Sequence, residues 1–145
     1  MTTVQSTERL IRQMLDVHPR VQAHEGDETA LVECIEACVE CEQACTACAD
    51  ASLGEPDVTE LIKCIRLCLD CAAVCDATRQ IATRQTELDL DLCRAQVMTC
   101  ARACRTCGAE CQRHASHHEH CRICAEACRR CEAACNQLLK LAAAM

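Results

Sequence analysis

From position 34 to position 135 one residue type recurs in steps of three and four. The first run is Cys34, Cys38, Cys41, Cys45 and Cys48, and the second is Cys64, Cys68, Cys71 and Cys75. The third is Cys93, Cys100, Cys104, Cys107 and Cys111, and the fourth is Cys121, Cys124, Cys128, Cys131 and Cys135. The one long step, Cys93 to Cys100, has Val97 at the missing position. Alternating steps of three and four mark the stripe of a helix that faces a bundle interior, whereas a strand needs a step of two. Turn residues separate the runs: Gly54, Pro56 and Asp57 after the first, "TRQTELDL" after the second and "RHASHHEH" after the third. Asp57 with Glu60, and then Thr86, are the expected helix starts. The pattern predicts four helices, about 28–51, 58–83, 88–113 and 118–142, each roughly 36 Å long at 1.5 Å per residue. Short connections predict an all-α, antiparallel up-down-up-down four-helix bundle. A short amphipathic helix, about 7–17, precedes it, with Leu10, Ile11, Met14 and Leu15 on one side. It is expected to pack across the bundle or against another subunit. Residues 1–145 read as a single domain.

Composition makes this bundle unusual. The 145 residues include 19 cysteines and no Phe, Tyr or Trp. The motif x-Ala-Cys-x-x-Cys recurs at Ala37, Ala44, Ala103 and Ala127, so small residues flank the seam. Positions that normally carry Leu or Ile carry thiols. Cysteine can serve as a small hydrophobe, but four seams of it would leave voids that cost stability. Pairs spaced i,i+3 and i,i+4 on one helix suit disulfide geometry poorly. A thioredoxin-type site needs its Cys pair at a strand-to-helix turn, and no strand is predicted. A basic-then-apolar leader and an 18-residue apolar run are both lacking, which points to reduced thiols in the cytoplasm and to no membrane partner. The net charge of −7 argues against nucleic acid. The charge is uneven: Asp27 to Asp50 holds seven acids and no Lys or Arg, and Arg94 to Arg130 holds seven Arg against three Glu. Complementary helix faces, within the bundle or between subunits, account for that.

Metal is the remaining reason to line four helices with thiols. Iron–sulfur motifs sit on loops with a different spacing, and a di-iron bundle needs Glu-x-x-His, which the chain lacks. Zinc at four thiolates per ion would leave a large buried negative charge. Cu(I) shared between bridging thiolates, about one ion per Cys, leaves the core neutral. Sulfurs one helical turn apart are close enough to converge on one ion.

Runs of C-x3-C-x2-C on four helices, with a His cluster in one loop, resemble the cytosolic bacterial copper storage proteins. The resemblance covers about residues 28–142. It implies a bundle that stores many Cu(I) ions on its 19 Cys and so limits copper toxicity, assembled as a homotetramer and loaded by a copper chaperone. Exported relatives carry a twin-arginine signal and Met at the bundle mouth; Met98 here lies mid-helix and reads as packing.

Extending the third and fourth seams reaches His114 and then His117 or His118, so that end is the expected mouth. Leu31, Ala82, Leu90 and Leu138 are expected to close the other end. By the resemblance, His114, His118 and His120 join the Cys as copper ligands, while His18 and His24 read as surface residues. With no nucleophile–base pair and no phosphate loop, the reading is a storage protein in metal homeostasis rather than an enzyme. A thiolate-rich zinc or mixed-metal buffer and a thiol redox protein stay as alternatives.

Overall fold

The computed structural model describes residues 3–21 and 25–143. Its helices are α1 (Thr3–Asp16), α2 (Glu25–Leu53), α3 (Ile62–Thr83), α4 (Leu90–His114) and α5 (Glu119–Ala143), with a single 3-10 turn, Val58–Leu61, leading into α3. α2 to α5 close a square in chain order, each packing on two neighbours, as expected for an antiparallel up-down-up-down bundle. No helix among the described residues is long and apolar enough to cross a membrane.

The helix starts differ from the expected ones. Asp89, not Thr86, caps α4: its Oδ1 accepts the Leu92 N–H at 3.0 Å, satisfying a backbone donor that the helix leaves open. Asp57 stands at the cap position of the 3-10 turn, but its side chain makes no cap bond; its carboxylate is used elsewhere.

The core is sulfur. Eighteen of the 19 cysteines are buried and form one cluster with Val97 at the missing step of the third run. Ala37, Ala49, Ala72, Ala101 and Ala125 are buried among them. At Gly108 a Cβ would lie 3.1 Å from the Cys128 Cβ, so α4 and α5 approach closely there. Small residues draw the four backbones inward until sulfurs of opposite helices touch, which limits the voids that small side chains leave. Outside, the acid run of α2 meets basic residues of its neighbours: Glu42 lies 3.8 Å from Arg79 of α3 and Glu40 lies 3.9 Å from Arg130 of α5. Exposed pairs of this kind each add only about 0–1 kcal/mol.

One end of the bundle is closed by an ordinary apolar cluster. Leu15, Leu31, Val32, Ile35 and Ala82 are buried there, with Ile11, Val21 and Leu138 packed against them. Leu90, expected in this plug, is 62% exposed. The reason is coverage: α1 packs on α2, so the first turn of α4 stays outside the plug. Only one edge of the α1 stripe is used; Leu15 is buried while Leu10 and Met14 are exposed. Met98, expected to pack, is also exposed, because the position after Val97 has already turned away from the seam. His18 sits in the turn after α1, where its Nδ1 accepts the Arg20 N–H at 2.9 Å; His24 lies outside the described residues.

Candidate metal centre

Each seam places its sulfurs on one side of one helix, and closure of the square brings the four sides together. The contacts run around the square and across it. Cys41 of α2 touches Cys71 of α3 at 3.9 Å, Cys104 of α4 at 3.9 Å and Cys128 of α5 at 3.8 Å. Cys68 of α3 meets Cys111 of α4 at 3.6 Å and Cys124 of α5 at 3.9 Å. Cys34–Cys135, Cys38–Cys100, Cys38–Cys131, Cys45–Cys107, Cys48–Cys121, Cys64–Cys111 and Cys75–Cys100 continue the ladder at 3.7–3.9 Å.

Several sets of four have all their sulfurs within 4.8 Å of one another. They include Cys38, Cys100, Cys131 and Cys135; Cys41, Cys45, Cys71 and Cys128; and Cys41, Cys75, Cys104 and Cys131. Cys45, Cys107, Cys124 and Cys128 form another, as do Cys48, Cys64, Cys68 and Cys111. The spacing by itself admits zinc, since a tetrahedral ion with Zn–S of about 2.3 Å also holds its sulfurs a little under 4 Å apart. The membership is more informative. Cys41, Cys45, Cys128 and Cys131 each belong to two of these sets, so the sets cannot fill as independent four-sulfur sites. The lattice is built for bridging sulfur.

Proton affinities differ from thiol to thiol in the lattice. Hydrogen bonding to Cys100 favours the thiol of Cys38, and bonding to Cys107 favours those of Cys45 and Cys111; all three are pushed up. Bonds from Cys104 stabilise the thiolates of Cys41 and Cys71, and one from Cys107 that of Cys124; these are pulled down. Cys107 itself is lowered to about 7, chiefly by Cys111. Cys121 is pushed up to about 12, first by burial and then by Cys64. Cys93, expected on the third seam, is half-buried and makes no sulfur contact of this length; burial raises its thiol.

The histidines sit at the other end from the apolar plug, and they have separate situations. His120 Nδ1 lies 3.5 Å from Cys48 Sγ and 3.6 Å from Cys121 Sγ, while its Nε2 faces Glu55 Oε2 at 2.9 Å. If Nε2–H donates to the carboxylate, Nδ1 keeps its lone pair toward the thiols. His118 has a carboxylate on each side: Nδ1 faces Glu55 Oε2 at 2.6 Å and Nε2 faces Asp57 Oδ2 at 3.0 Å. Two such partners favour imidazolium, and its affinity for protons is raised, chiefly by Asp57. Its ring stacks on His120 with centroids 5.3 Å apart. His114 Nε2 faces Glu110 Oε2 at 2.9 Å, and His117 is exposed. The structure thus brings His120 to the sulfurs and ties His118 and His114 to acids.

Those acids were not anticipated. Glu110 is buried, and Glu55 and Asp57 come from the α2–α3 connection. A signal existed for Glu110, four residues before His114 on one helix face. Ser52, one seam step past Cys48, was also overlooked; its hydroxyl is buried without a partner.

A closed square of helices, one apolar end, one His-and-carboxylate end and a continuous bridging thiol lattice between them define a metal-storing bundle. The chain belongs to the copper storage protein family, whose description matches residues 27–140. It resembles the copper storage protein of Streptomyces lividans loaded with 10 copper equivalents: 51% identity, 90% of this chain and 98% of that chain covered, TM-score 0.86. A variant of that protein with two histidines replaced by alanine matches at 54% identity, 77% and 94% coverage and TM-score 0.77. The Cu(I)-bound copper storage protein BsCsp3, from Bacillus subtilis, matches at 36% identity, 73% and 94% coverage and TM-score 0.65. No protein with a curated description matches the chain.

The lattice distinguishes two cysteines by position. Replacing Cys41 with Ala removes a sulfur shared by two sets, so copper capacity should fall by more than one ion per chain. Replacing Cys93 with Ala should leave it unchanged within one ion. Metal quantification after saturating reduced protein with Cu(I) checks both; equal losses would mean that Cys93 belongs to the lattice.

Proposed function

We propose that this chain stores copper as Cu(I) on the thiolates inside its bundle, on the order of one ion per sulfur, and so keeps the metal from harmful chemistry. The observation that carries the reading is the sharing of Cys41, Cys45, Cys128 and Cys131 between four-sulfur sets on all four helices. A bridging sulfur with two Cu(I) neighbours brings half a charge to each, so one ion per sulfur leaves no net charge in a dry interior. Binding exchanges the thiol proton for the ion.

Ions enter at the histidine end, since the cluster that closes the other end is Leu15, Leu31, Val32, Ile35 and Ala82. His120 hands the ion to Cys48 and Cys121, and His118 and His114 receive it once their carboxylates release them. Imidazole holds Cu(I) less tightly than thiolate does, so the gradient runs inward. The working site is the cytoplasm, where reducing conditions keep the thiols open. A copper chaperone is the donor, and the assembly is a homotetramer, for which exposed Leu10 and Met14 of α1 offer an apolar face.

Titration of reduced protein under nitrogen with Cu(I) and Zn(II) in competition tests the storage reading. The expected result is a Cu(I) capacity near one per sulfur, with zinc displaced. Saturation below about 10 Cu(I), or four to five tight Zn(II) with Cu(I) no better, would overturn it.

The mouth also sets a pH dependence. His118 must lose a proton to ligate, and Asp57 raises its folded value above the ordinary His value of about 6.5. The loading rate should therefore rise with pH through a midpoint above about 6.5, with final capacity little changed. Asp57→Asn should bring that midpoint down. For stability the sign is opposite: the His118–Asp57 interaction is fully present below about 6.5 and is lost as pH rises through the raised value. Stopped-flow loading and melting scans across pH read the two effects separately; a midpoint that ignores Asp57→Asn would mean His118 does not control entry.

A further inference from the structure

A second feature lies on the outside of the bundle. A groove of about 450 Å³ runs between α3 and α4, lined by Lys63 and Leu67 from α3 and by Arg102, Arg105, Glu110 and Arg113 from α4. Arg113 Nη1 donates to Glu110 Oε1 at 3.1 Å. Lys63, Arg102 and Arg105 form no hydrogen bond or ion pair among the described residues, unlike Arg66, Arg79, Arg122 and Arg130, which face carboxylates. Three cations without a partner, Lys63 on α3 and Arg102 and Arg105 on α4, thus face one groove of a chain with net charge −7.

The groove joins the mouth through one residue. Glu110 Oε1 takes Arg113 on the groove side and Oε2 faces His114 on the mouth side. Lys63 sits next to Cys64, whose sulfur belongs to the mouth-proximal set with Cys48. From Arg102 to Arg113 the basic wall extends about 16 Å along α4 at 1.5 Å per residue.

We propose that this groove docks a second copper donor, distinct from the chaperone, as an anionic complex: Cu(I) held by a small thiol that carries carboxylates. The proposal rests on the storage reading above. Cu(I) is delivered on soft ligands. Two thiolates on one Cu(I) leave a negative charge, and carboxylates add to it. Guanidinium groups bind carboxylates in a forked geometry, and the groove's volume suits a small molecule rather than a protein surface. Leu67 gives the ligand's carbon chain an apolar floor. Transfer is ligand exchange without redox. His120 takes the ion as one carrier thiolate leaves, Cys48 then binds it, and the Cys48 proton passes to that thiolate to give the carrier's thiol. Cys121 repeats the exchange with the second, and copper stays Cu(I) throughout.

The test compares two donors on full-length reduced protein: Cu(I)–glutathione, which is anionic, and Cu(I)–acetonitrile, which is cationic. Arg105→Glu should slow initial loading from Cu(I)–glutathione on the order of tenfold, and Arg105→Gln by less. Loading from Cu(I)–acetonitrile should be unchanged or faster, and final capacity unchanged with either donor. Arg94→Glu makes the same charge change on α4, 11 residues away, and should behave as the parent. Equal slowing with both donors, or equal slowing by Arg94→Glu, would reduce the effect to general field and overturn docking. A changed oligomeric mass with unchanged Cu(I)–glutathione loading would make the groove a subunit contact and also overturn it. Failure of the parent protein to take copper from either donor would instead sink the storage reading.

Discussion

Charge neutrality inside a dry bundle is the constraint on which the rest depends. A thiol can be buried cheaply and a thiolate cannot. With eighteen cysteines buried side by side, each sulfur must carry either a proton or a share of a cation. That rule admits two low-energy states of one scaffold: a protonated lattice held by weak S–H contacts and a metallated lattice held by bridging ions. In the protonated state neighbouring sulfurs shift one another in both directions: Cys41 is pulled down by Cys104 and Cys128, and Cys45 is pushed up by Cys107 and Cys124. A single-valent soft ion replaces a proton one for one, and zinc does not.

The same constraint shapes the two ends. The plug of Leu15, Leu31, Val32 and Ile35 supplies the ordinary hydrophobic burial that the sulfur core lacks, at roughly 25 cal/mol per Å² of apolar surface removed from water. On the proposed route the entry end needs groups that can change protonation state near neutral pH, and only histidine does so at its ordinary value. Carboxylates from the α2–α3 connection hold two of those rings in place. Glu55 contacts both His118 and His120, so the ring that faces the thiols and the ring that faces Asp57 share one partner. Glu110 joins the mouth to the exterior of α4 in the same way.

The seam was legible because its period is a property of the helix and the residue marking it is unmistakable: steps of three and four place Cys34 through Cys135 on four interior faces. Val97 was recognised as a placeholder for the same reason. The position of the histidines at one end of the bundle followed by extending two seams to His114 and His118. What was not legible depends on neighbours far apart in sequence. Leu90 continues the third seam by spacing, yet it is exposed because α1 covers a different part of the bundle end. Cys93 is in register but lies where the sulfur lattice runs out. Asp57 looks like a helix cap by position, and its carboxylate is taken instead by a histidine 61 residues later. Thr86 was the expected start of α4, and the helix begins instead after Asp89, whose side chain reaches the Leu92 N–H. The periodic interior can be read one residue at a time; the ends need the whole fold.

The exchange of protons for ions is the central claim, and it can be counted directly. Reduced, metal-free protein held at constant pH near neutrality would be titrated with Cu(I) from a donor that carries no proton, with the base needed to hold pH recorded at each addition. The expected result is about one proton released per ion, constant until the bundle is full. Release well below that would show thiols already ionised in the empty core. A ratio near two per ion would mean an anionic interior with isolated dithiolate sites, and would contradict the neutral bridged lattice.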